Sequence, residues 1–339
     1  MSDISKEALE TTLCYIEKDG AYLMLHRIKK ENDLNEGKWI GIGGKFEKDE
    51  SPEECMRREV LEETGLTVKT YRYRGIVTFV SDRYETEYMH LFHITETQGE
   101  LKDCDEGVLE WVPVDTLSTL PHWLGDRAFL SLLRTQIPFF SMKLTYVDGD
   151  RLKECLLNEQ PVLFTERFVL RPFIIEDAEA VFDAAKDPEV GPWCGWQPHP
   201  DPEHSKDIVK NILMTPGTFA LVPVDQGDPI GCISLAPLSS QSMVREGEKA
   251  AEIGFWLSQK HWGKGYMPEA VRELQRYAFE EKHLDALWCC YYEGNSKSSR
   301  VQEKCGFTEE FREKVERKLL GDEAISVRQK LTKDRWRET

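Results

Sequence analysis

Acidic side chains recur at short spacing within residues 44–66, where Arg58, Glu59, Glu62 and Glu63 lie close together in the chain. Residues three and four apart share one side of an α-helix, so the three glutamates would project together. Like charges at this spacing repel, and the last turn of a helix carries the negative end of its dipole. A bound divalent cation would resolve this conflict, because clustered carboxylates and a backbone carbonyl are ligands typical of Mg²⁺ or Mn²⁺.

A short helix must hold these carboxylates, and the sequence marks both of its ends. Ser51 is suited to the N-cap, Pro52 to the first helical position, and Glu54 to closing a capping box with Ser51. Gly65 is the expected C-cap. The pattern therefore predicts one helix between Ser51 and Gly65, with a glycine-containing loop before it.

This stretch resembles the Nudix box, G-x5-E-x7-R-E-U-x-E-E-x-G-U, where U is aliphatic. Its fixed positions are filled by Gly44, Glu50, Arg58, Glu59, Val60, Glu62, Glu63, Gly65 and Leu66. The resemblance implies hydrolysis of a nucleoside diphosphate linked to a group X, with Mg²⁺ or Mn²⁺ as cofactor. It further implies that Glu59, Glu63 and the Gly44 carbonyl are metal ligands, that Glu62 is a ligand or the base, and that Arg58 orients them. A solvated acidic helix is the alternative.

Segments outside the box extend the resemblance to MutT-type 8-oxo-dGTP diphosphatases, in particular their purine-sanitising branch. These segments are the run GKWIGIGGK, Tyr88 to Phe92, Cys104 to Glu106 and a closing hairpin around Asp148-Gly149. By this resemblance Glu106 is a further metal carboxylate, although its position alone indicates only an acid in a turn.

The same branch carries a tryptophan and two acids in its nucleobase pocket. The resemblance assigns Trp123 to stacking and Asp126 to the base edge, while Trp123 is also compatible with a core or rim position. Gly125 stands where the second acid is expected, and Ile40 replaces an asparagine that reads the base. Selectivity for 8-oxoguanine, and the choice between a purine nucleoside triphosphate and another nucleoside diphosphate compound, therefore stay open.

The second half contains a different candidate site, in which a strand over 248–258 leads into a glycine-rich turn, Lys260 to Tyr266, that opens a helix. Exposed amides at a helix N-terminus favour a pyrophosphate, and Gly263 and Gly265 allow the backbone to approach it closely. A tight turn without a ligand is the alternative.

Together with other segments, this turn resembles the GNAT N-acetyltransferases, particularly their RimJ/RimL-like branch. The supporting segments are ERFVLRP at 166–172, Asn295 and Ser298 at the next helix start, and Glu303 to Phe307 at its end. The resemblance implies acetyl-CoA as cofactor and an amine as acceptor. It places the pyrophosphate on the amides of Trp262, Gly263, Lys264, Gly265 and Tyr266, and the pantetheine arm against Asn295 and Ser298. Lys260 departs from the Gln or Arg that is usual there.

Amine acetylation needs a base for the amine and a proton for the thiolate that leaves. Glu252, on the strand before the turn, is the candidate base, although a solvated strand residue would look the same. The tyrosine that many family members use as acid falls at Gln302, so that role is unfilled there. His199 and the loop from Trp193 to Trp196 are expected on the acceptor side. A domain that binds the cofactor without catalysis is the alternative.

Composition excludes several classes of protein. The chain has 339 residues, 40% of them apolar, and a net charge of −17, which argues against binding to duplex nucleic acid or a membrane surface. No apolar run approaches the roughly 20 residues of a membrane span, and the N-terminus lacks the pattern of a signal peptide. The nine cysteines include no C-x-x-C pair, so we expect reduced, buried thiols and a cytoplasmic protein.

These patterns predict an α+β protein with two domains, a Nudix α/β/α sandwich over 1–158 and a GNAT mixed sheet flanked by helices over 164–335. They predict a single strand over 165–172, and helices over 201–214 and 267–282. The expected function is bifunctional: hydrolysis of an oxidised purine nucleoside triphosphate to monophosphate and pyrophosphate, and acetyl transfer to an amine. A nucleotide-sensing module that regulates the transferase is the alternative for the first half.

Overall fold

The computed structural model describes residues 8–29 and 34–338. The chain divides into two compact units. One extends to Val162 and includes Val224–Gly227; the other comprises Leu163–Pro223 and the chain from Asp228 onward. Each unit has its own mixed sheet with helices, an α+β arrangement.

The first unit is built on a nine-stranded sheet. Its strands are β1 (Leu9–Lys18), β2 (Ala21–His26), β3 (Trp39–Ile40), β4 (Thr67–Ser81), β5 (Glu87–Gln98), β6 (Val108–Pro113), β7 (Phe140–Val147), β8 (Arg151–Leu157) and β9 (Gln160–Pro161). Their order is β3-β2-β1-β5-β4-β7-β8-β9, with β6 paired to β2. The helices are α1 (Pro52–Thr64) and α2 (Asp126–Leu133), with a 3₁₀ turn at Leu117–Thr119.

Helix α1 begins and ends where the sequence predicts. The Ser51 hydroxyl accepts a hydrogen bond from the Glu54 N–H, the Glu54 carboxylate accepts one from the Ser51 N–H at 2.8 Å, and Gly65 forms the C-cap at a φ of 77°. Cys55, Met56 and Val60 are fully buried in the core of the first unit. This face of the helix is therefore fixed by packing, and Glu63 is buried together with these residues, whereas Glu62 is exposed.

The second unit is built on an eight-stranded sheet. Its strands are β10 (Leu163–Phe164), β11 (Phe168–Pro172), β12 (Thr218–Pro223), β13 (Gly231–Ala236), β14 (Ala250–Leu257), β15 (Ala286–Tyr292), β16 (Thr308–Arg317) and β17 (Asp322–Thr332). Their order is β10-β11-β12-β13-β14-β15-β17-β16, and β14 and β15 are parallel. The helices are α3 (Ala178–Ala185), α4 (Gly191–Cys194), α5 (Pro202–Ile208), α6 (Tyr266–Arg276), α7 (Ser296–Lys304) and α8 (Lys333–Trp336).

Three elements of the second unit differ from the sequence prediction. The strand predicted over 165–172 begins only at Phe168, because 165–167 form the turn between β10 and β11. The helix predicted over 201–214 consists of α5 and a π-helical segment, Val209–Leu213, and α6 is likewise followed by a π-helical segment, Tyr277–Glu281. Periodicity does not separate an α-helix from a short π-helical continuation.

All nine cysteines are free, and most of them are buried as expected. Cys194 is an exception because it is exposed in the short helix α4, and Cys290 is only partly buried. The expectation of buried thiols was therefore wrong for Cys194. None of the helices in the described part of the chain combines the length and apolar character that crossing a bilayer requires.

Candidate active sites

Arg58 holds the carboxylates of the first unit in place. Its Nε and Nη2 donate to the two carboxylate oxygens of Glu50 at 2.7 and 2.8 Å, and its Nη1 donates to Glu59 at 2.7 Å and to Glu62 at 3.3 Å. Its Nη2 also donates to the Lys45 carbonyl at 3.0 Å. The Arg58 hydrogen bond lowers the pKa of Glu50 to about 2. One guanidinium thus fixes the loop before α1 relative to the helix carboxylates.

Glu63 is the most buried acid of this group. Burial, opposed by a hydrogen bond from the Gly43 N–H, raises its pKa to about 8, and the nearby carboxylates of Glu106 and Glu59 contribute to this shift. Burial also raises the pKa of Glu59, with Glu62 and Glu106 adding to the increase. The structure therefore brings Glu106 next to the helix carboxylates although more than 40 residues separate them in the chain.

Gly44 lies directly against one of these carboxylates. A Cβ atom at Gly44 would lie 2.4 to 2.6 Å from the carboxylate atoms of Glu59, closer than any side chain tolerates. The Gly44 carbonyl accepts a hydrogen bond from the Thr12 N–H at 2.9 Å, which anchors this loop to β1. Glycine at this position is thus required for the Glu59 carboxylate to approach the backbone.

The donor set fits a hard divalent cation, since it consists of oxygen ligands only and places several partly buried like charges together. Within residues 8–29 and 34–338, no three histidine, cysteine or acidic side chains converge tightly enough to form a metal site as they stand. Arg27 forms an ion pair with Glu106, and Arg58 forms ion pairs with Glu59 and Glu62. The assignment of Gly44, Glu59, Glu62, Glu63 and Glu106 as metal ligands stays a prediction.

Trp123 and Asp126 lie together at the start of α2, and both are buried, each only 8% exposed. The Trp123 Nε1 donates to the Asn35 side-chain oxygen at 2.8 Å, and the Lys38 Nζ lies 4.4 Å from the ring centroid. Burial raises the pKa of Asp126 to about 8, while a backbone hydrogen bond from Trp123 and the charge of Lys38 act in the opposite direction. A carboxyl group with this pKa is protonated near neutral pH and donates a hydrogen bond.

Two positions where the sequence departs from the expected pocket have structural roles. Ile40 packs against the core of the first unit. The Gly125 N–H donates to the Tyr146 hydroxyl at 2.9 Å, and a Cβ at Gly125 would lie 2.7 to 2.8 Å from Leu144 and Tyr146 atoms. A side chain at position 125 would therefore require Leu144 or Tyr146 to move.

Sequence reasoning missed two cations of this unit. Arg27 is only 8% exposed and forms an ion pair with Glu106, and its charge opposes the raised pKa of Glu63. The Lys38 Nζ lies 4.4 Å from the Trp123 ring centroid, and its charge lowers the pKa of Asp126. Neither residue occupies a fixed position of the Nudix box. Only the alternation of apolar and polar residues along β2 could have indicated Arg27, and only its place just before β3 could have indicated Lys38.

In the second unit, strands β14 and β15 separate part of the way along their length. They pair in parallel from Ala250–Ala286 to Ile253–Cys289, and each strand then continues paired only on its other side, with β13 and with β17. The peptide groups of residues 254–257 and 290–292 thus border an opening in the sheet. An extended ligand can hydrogen-bond to such strand edges.

The predicted phosphate turn lies between β14 and α6. Gly263 and Gly265 both have a positive φ, of 77° and 76°, and Gly265 is the N-cap of α6 without a side-chain capping bond. The Trp262 Nε1 donates to the Leu257 carbonyl at 2.8 Å, and the Lys297 Nζ lies 3.7 Å from the Trp262 ring centroid. Backbone amides at this helix start are therefore available to an anion.

Asn295 and Ser298 lie at the start of α7, next to the end of β15. The Asn295 side-chain oxygen accepts from the Ser298 N–H at 3.1 Å and so caps the helix. Gln302 is fully buried and donates to the Cys290 carbonyl and to the Ser298 hydroxyl, each at 3.1 Å. Gln302 therefore ties α7 to the separated part of β15, and it carries no acidic proton.

The other predicted groups of this unit have defined partners. Glu252 accepts from the Ser239 N–H at 2.9 Å and lies 3.8 Å from a guanidinium nitrogen of Arg328. His199 is buried, and its Nδ1 lies 2.7 Å from the Ser205 hydroxyl. Glu252 thus stays a candidate base beside the strand opening, whereas the contacts of His199 are those of a packed residue.

Comparisons with known proteins find a family match in each half of the chain. The model of the NUDIX domain matches residues 9–133, and the model of the acetyltransferase (GNAT) domain matches residues 167–308. An oxidized purine nucleoside triphosphate hydrolase from Danio rerio is 36% identical over 106 residues, which are 31% of this chain and 67% of that protein. Its counterpart from Mus musculus is 30% identical over 131 residues, covering 38% of this chain and 83% of that protein.

The second half matches another relative. An FsC-acetyl coenzyme A-N(2)-transacetylase from Aspergillus fumigatus is 32% identical over 188 residues, which are 53% of this chain and 80% of that protein. The box of α1 with its carboxylates, and the separated strands with the turn before α6, are each found where a family model matches. The chain therefore belongs to two enzyme families at once, the Nudix hydrolases through its first half and the GNAT N-acetyltransferases through its second.

Proposed function

We propose that this chain is a bifunctional enzyme whose first half is a Mg²⁺-dependent pyrophosphohydrolase. Its substrate is a purine nucleoside triphosphate, including oxidised forms such as 8-oxo-dGTP, and its products are the monophosphate and pyrophosphate. The observation that carries the proposal is the grouping of Glu59, Glu63 and Glu106 beside Gly44, with Arg58 holding the helix carboxylates. The relatives named as oxidized purine nucleoside triphosphate hydrolases support the substrate class.

In this mechanism the Glu59, Glu63 and Glu106 carboxylates and the Gly44 carbonyl would hold the divalent metal, which when bound would lower the pKa of the attacking water and offset charge on the phosphates. Glu62 is the most exposed of the carboxylates that Arg58 contacts, and it takes the proton from that water. The water oxygen bonds to phosphorus while the bond linking the α- and β-phosphates breaks. Arg58 keeps Glu59 and Glu62 in position during the step.

Recognition of the base is proposed to involve Trp123 and Asp126. A protonated Asp126 donates a hydrogen bond to an acceptor on the purine edge, and Lys38 adds a positive charge beside it. Because position 125 is glycine, this pocket has one carboxyl group rather than two. A broader preference among purines than that of a two-acid pocket follows from this difference.

The test is hydrolysis of a nucleotide panel with pyrophosphate detection, with and without Mg²⁺. Glu63→Gln removes a charge from the cation cradle and should lower the rate roughly 10²–10⁴-fold. Glu53→Gln on the same helix is the matched control and should leave the rate unchanged. Full activity of Glu62→Gln and Glu63→Gln would show that the centre lies elsewhere.

The panel also separates the alternatives. Turnover of nucleotide sugars or dinucleotides in preference to triphosphates would assign the first half to another nucleoside diphosphate substrate. Nucleotide binding without turnover, measured as a thermal shift, would instead indicate a sensing module that regulates the transferase.

The second half is proposed to transfer an acetyl group from acetyl-CoA to an amine. The opening between β14 and β15 receives the pantetheine arm near Asn295 and Ser298, and the amides of Trp262 to Tyr266 receive the pyrophosphate. The amine attacks the thioester carbon, Glu252 accepts a proton from the amine, and the C–S bond breaks so that CoA leaves as its thiolate and is protonated by solvent. The name of the fungal relative, an acetyl coenzyme A-dependent transacetylase, supports this donor.

CoA release measured with a panel of small amines, peptides and protein N-termini tests this activity. Binding of acetyl-CoA without release for any acceptor would favour a cofactor-binding domain. The net charge of −17 supports free nucleotides and amines as partners rather than duplex nucleic acid or a membrane surface.

A further inference from the structure

Arg167 lies in the turn between β10 and β11 and contacts the phosphate turn from about 100 residues away in the chain. We propose that Arg167 is a positioning residue that orients the amides of the turn before α6 toward the pyrophosphate of CoA. This inference rests on the proposed acetyl-CoA site of the second half.

The Arg167 side chain contacts two backbone carbonyls, one aromatic ring and one carboxylate. Nη1 donates to the Lys264 carbonyl at 3.2 Å, Nη2 donates to the Gly265 carbonyl at 3.4 Å, and the guanidinium carbon lies 4.7 Å from the Tyr266 ring centroid. Nε donates to the Glu269 carboxylate at 2.6 Å. One side chain thus contacts the last two residues of the turn and the first turn of α6.

These contacts fix the direction of two peptide groups. In a trans peptide the carbonyl and the following N–H point in opposite directions. Because the Lys264 and Gly265 carbonyls point toward Arg167, the N–H groups of Gly265 and Tyr266 point away from it. Those are two of the amides at the uncapped N-terminus of α6, where a phosphate is most favourably bound.

The two glycines of the turn are the reason that its peptide groups need to be held by Arg167. Gly263 and Gly265 adopt a positive φ, and no atom lies within 4 Å of a Cβ built at Gly263, so the glycine part of the turn has little packing of its own, whereas Trp262 and Tyr266 pack against the core. Glycine peptides lose more conformational freedom on ordering than other residues. A ligand that had to order this turn would bind more weakly, so a clamp that holds it in advance increases affinity.

Glu269 completes the clamp from the helix side. Its carboxylate accepts from the Arg167 backbone N–H at 3.0 Å and from the Arg167 Nε, so backbone and side chain are both held. Lysine would present a single point charge and could not serve Glu269 and both carbonyls together. Arginine is therefore the residue type that this arrangement requires.

The experiment compares the full-length chain with Arg167→Gln and Arg167→Lys. CoA affinity is measured by isothermal titration calorimetry and pantetheine affinity by ligand-observed NMR. Pantetheine lacks the pyrophosphate, so it reports the strand opening alone. Arg167→Gln should weaken CoA binding roughly tenfold, with Arg167→Lys restoring part of the loss, and neither should change pantetheine binding.

Arg276→Gln is the matched control, because Arg276 lies on the same helix in an ion pair with Glu273 and does not contact the turn. It should bind CoA like the wild type. Unchanged CoA affinity in Arg167→Gln, or an equal loss for CoA and pantetheine, would overturn the inference. Failure of the wild-type chain to bind CoA would instead contradict the proposed acetyltransferase function.

Discussion

At the scale of single residues, two adjacent glycines before α1 have different tasks. A Cβ at Gly44 would meet the Glu59 carboxylate, the mobile end of a side chain, whereas a Cβ at Gly43 would lie 2.1 Å from the Thr12 carbonyl oxygen. Gly43 also has a φ of 150°. Substitution at Gly44 therefore displaces a candidate ligand, and substitution at Gly43 displaces backbone.

Gly44→Ala should lower Mn²⁺ affinity roughly 10- to 100-fold, because it moves the Glu59 carboxylate from the cradle. The measurement is titration with Mn²⁺ followed by electron paramagnetic resonance. The denaturation midpoint should change little, since the Glu59 side chain can rotate.

Gly43→Ala serves as the contrasting variant and should lower the denaturation midpoint of the first unit. Equal Mn²⁺ affinity in Gly44→Ala and the wild type would show that Glu59 does not bind the ion next to Gly44.

Asp126 gives a prediction about pH. Burial raises its pKa from 3.8 to about 8, so the folded chain retains a proton that the unfolded chain loses above about pH 4. The contribution of Asp126 to stability is therefore fully present below pH 4 and is lost as the pH rises toward 8. Asp126→Asn should become progressively more stable than the wild type over this range and level off above it.

Hydrogen exchange of α2 at a series of pH values measures this difference. Asp115→Asn is the control, because Asp115 is exposed in the same part of the chain and should show no such trend. A constant difference between Asp126→Asn and the wild type from pH 5 to 9 would contradict the raised pKa.

Local spacing explains which site residues could be predicted from the sequence. Arg58, Glu59, Glu62 and Glu63 share one helix face, so their grouping follows from helix geometry alone. Arg27 and Glu106 are 79 residues apart and form their ion pair only through the pairing of strands. A side chain at position 125 would contact Leu144 and Tyr146. The sequence around α2 gives no sign of these contacts, because both residues lie about 20 positions further along the chain.

At the scale of elements, the ends of a helix or a hairpin were predicted correctly where a few neighbouring residues mark them. The capping box and C-cap glycine of α1 were predicted, and so was the hairpin around Asp148-Gly149 between β7 and β8. The turn at 165–167 was missed although Thr165, Glu166 and Arg167 are all polar, because the hydrogen bond from Arg167 to Glu269, 102 residues away, has no local signal. The separation of β14 from β15 likewise has no local signal.

Helix α2 is held at its C-terminus by a buried arginine from β4. Arg74 is 1% exposed and donates to the carbonyls of Leu132, Leu133 and Thr135 at 2.9 to 3.1 Å. The last carbonyls of a helix have no intrahelical donor, and a cation there also complements the helix dipole. Arg74 thus fixes the helix whose first turn carries Asp126.

Arg74→Met should destabilise the first unit by roughly 2–4 kcal/mol, because it leaves buried carbonyls without a donor. Hydrogen exchange of α2 should rise more than that of α1. Arg72→Met is the matched control on the same strand, since Arg72 is exposed and bonds only the Gln136 side chain among the contacts described. Equal exchange in the two variants would exclude the anchoring role of Arg74.

At the scale of the whole molecule, two motif sets in separate halves predicted two domains. The domain limits drawn from the sequence, 1–158 and 164–335, remain predictions. The structure groups Val224–Gly227 with the first unit, although this segment connects β12 to β13 of the second. No local pattern indicates such a grouping, because it depends on contacts that the sequence of the loop does not encode.

The two candidate sites share no residue, which leads to a prediction of independence. Glu63→Gln should reduce hydrolysis while CoA affinity stays within twofold of the wild type, and Arg167→Gln should do the reverse. Effects at sites without common partners add in free energy. The double variant of the full-length chain should therefore show both losses at the size seen in each single variant. The measurements are nucleotide hydrolysis and CoA titration on all four chains.

The Glu63→Gln variant also distinguishes two independent activities from regulation of the transferase by a nucleotide bound to the first half. If a nucleotide bound to the first half controlled the transferase, adding that nucleotide would change CoA affinity, and linkage requires CoA to change nucleotide affinity by the same factor. Titrating CoA with and without saturating nucleotide into Glu63→Gln, in which hydrolysis is expected to be roughly 10²–10⁴-fold slower, isolates this coupling. A coupling factor near one supports two separate activities on one chain, whereas a factor above about five would establish the regulatory alternative.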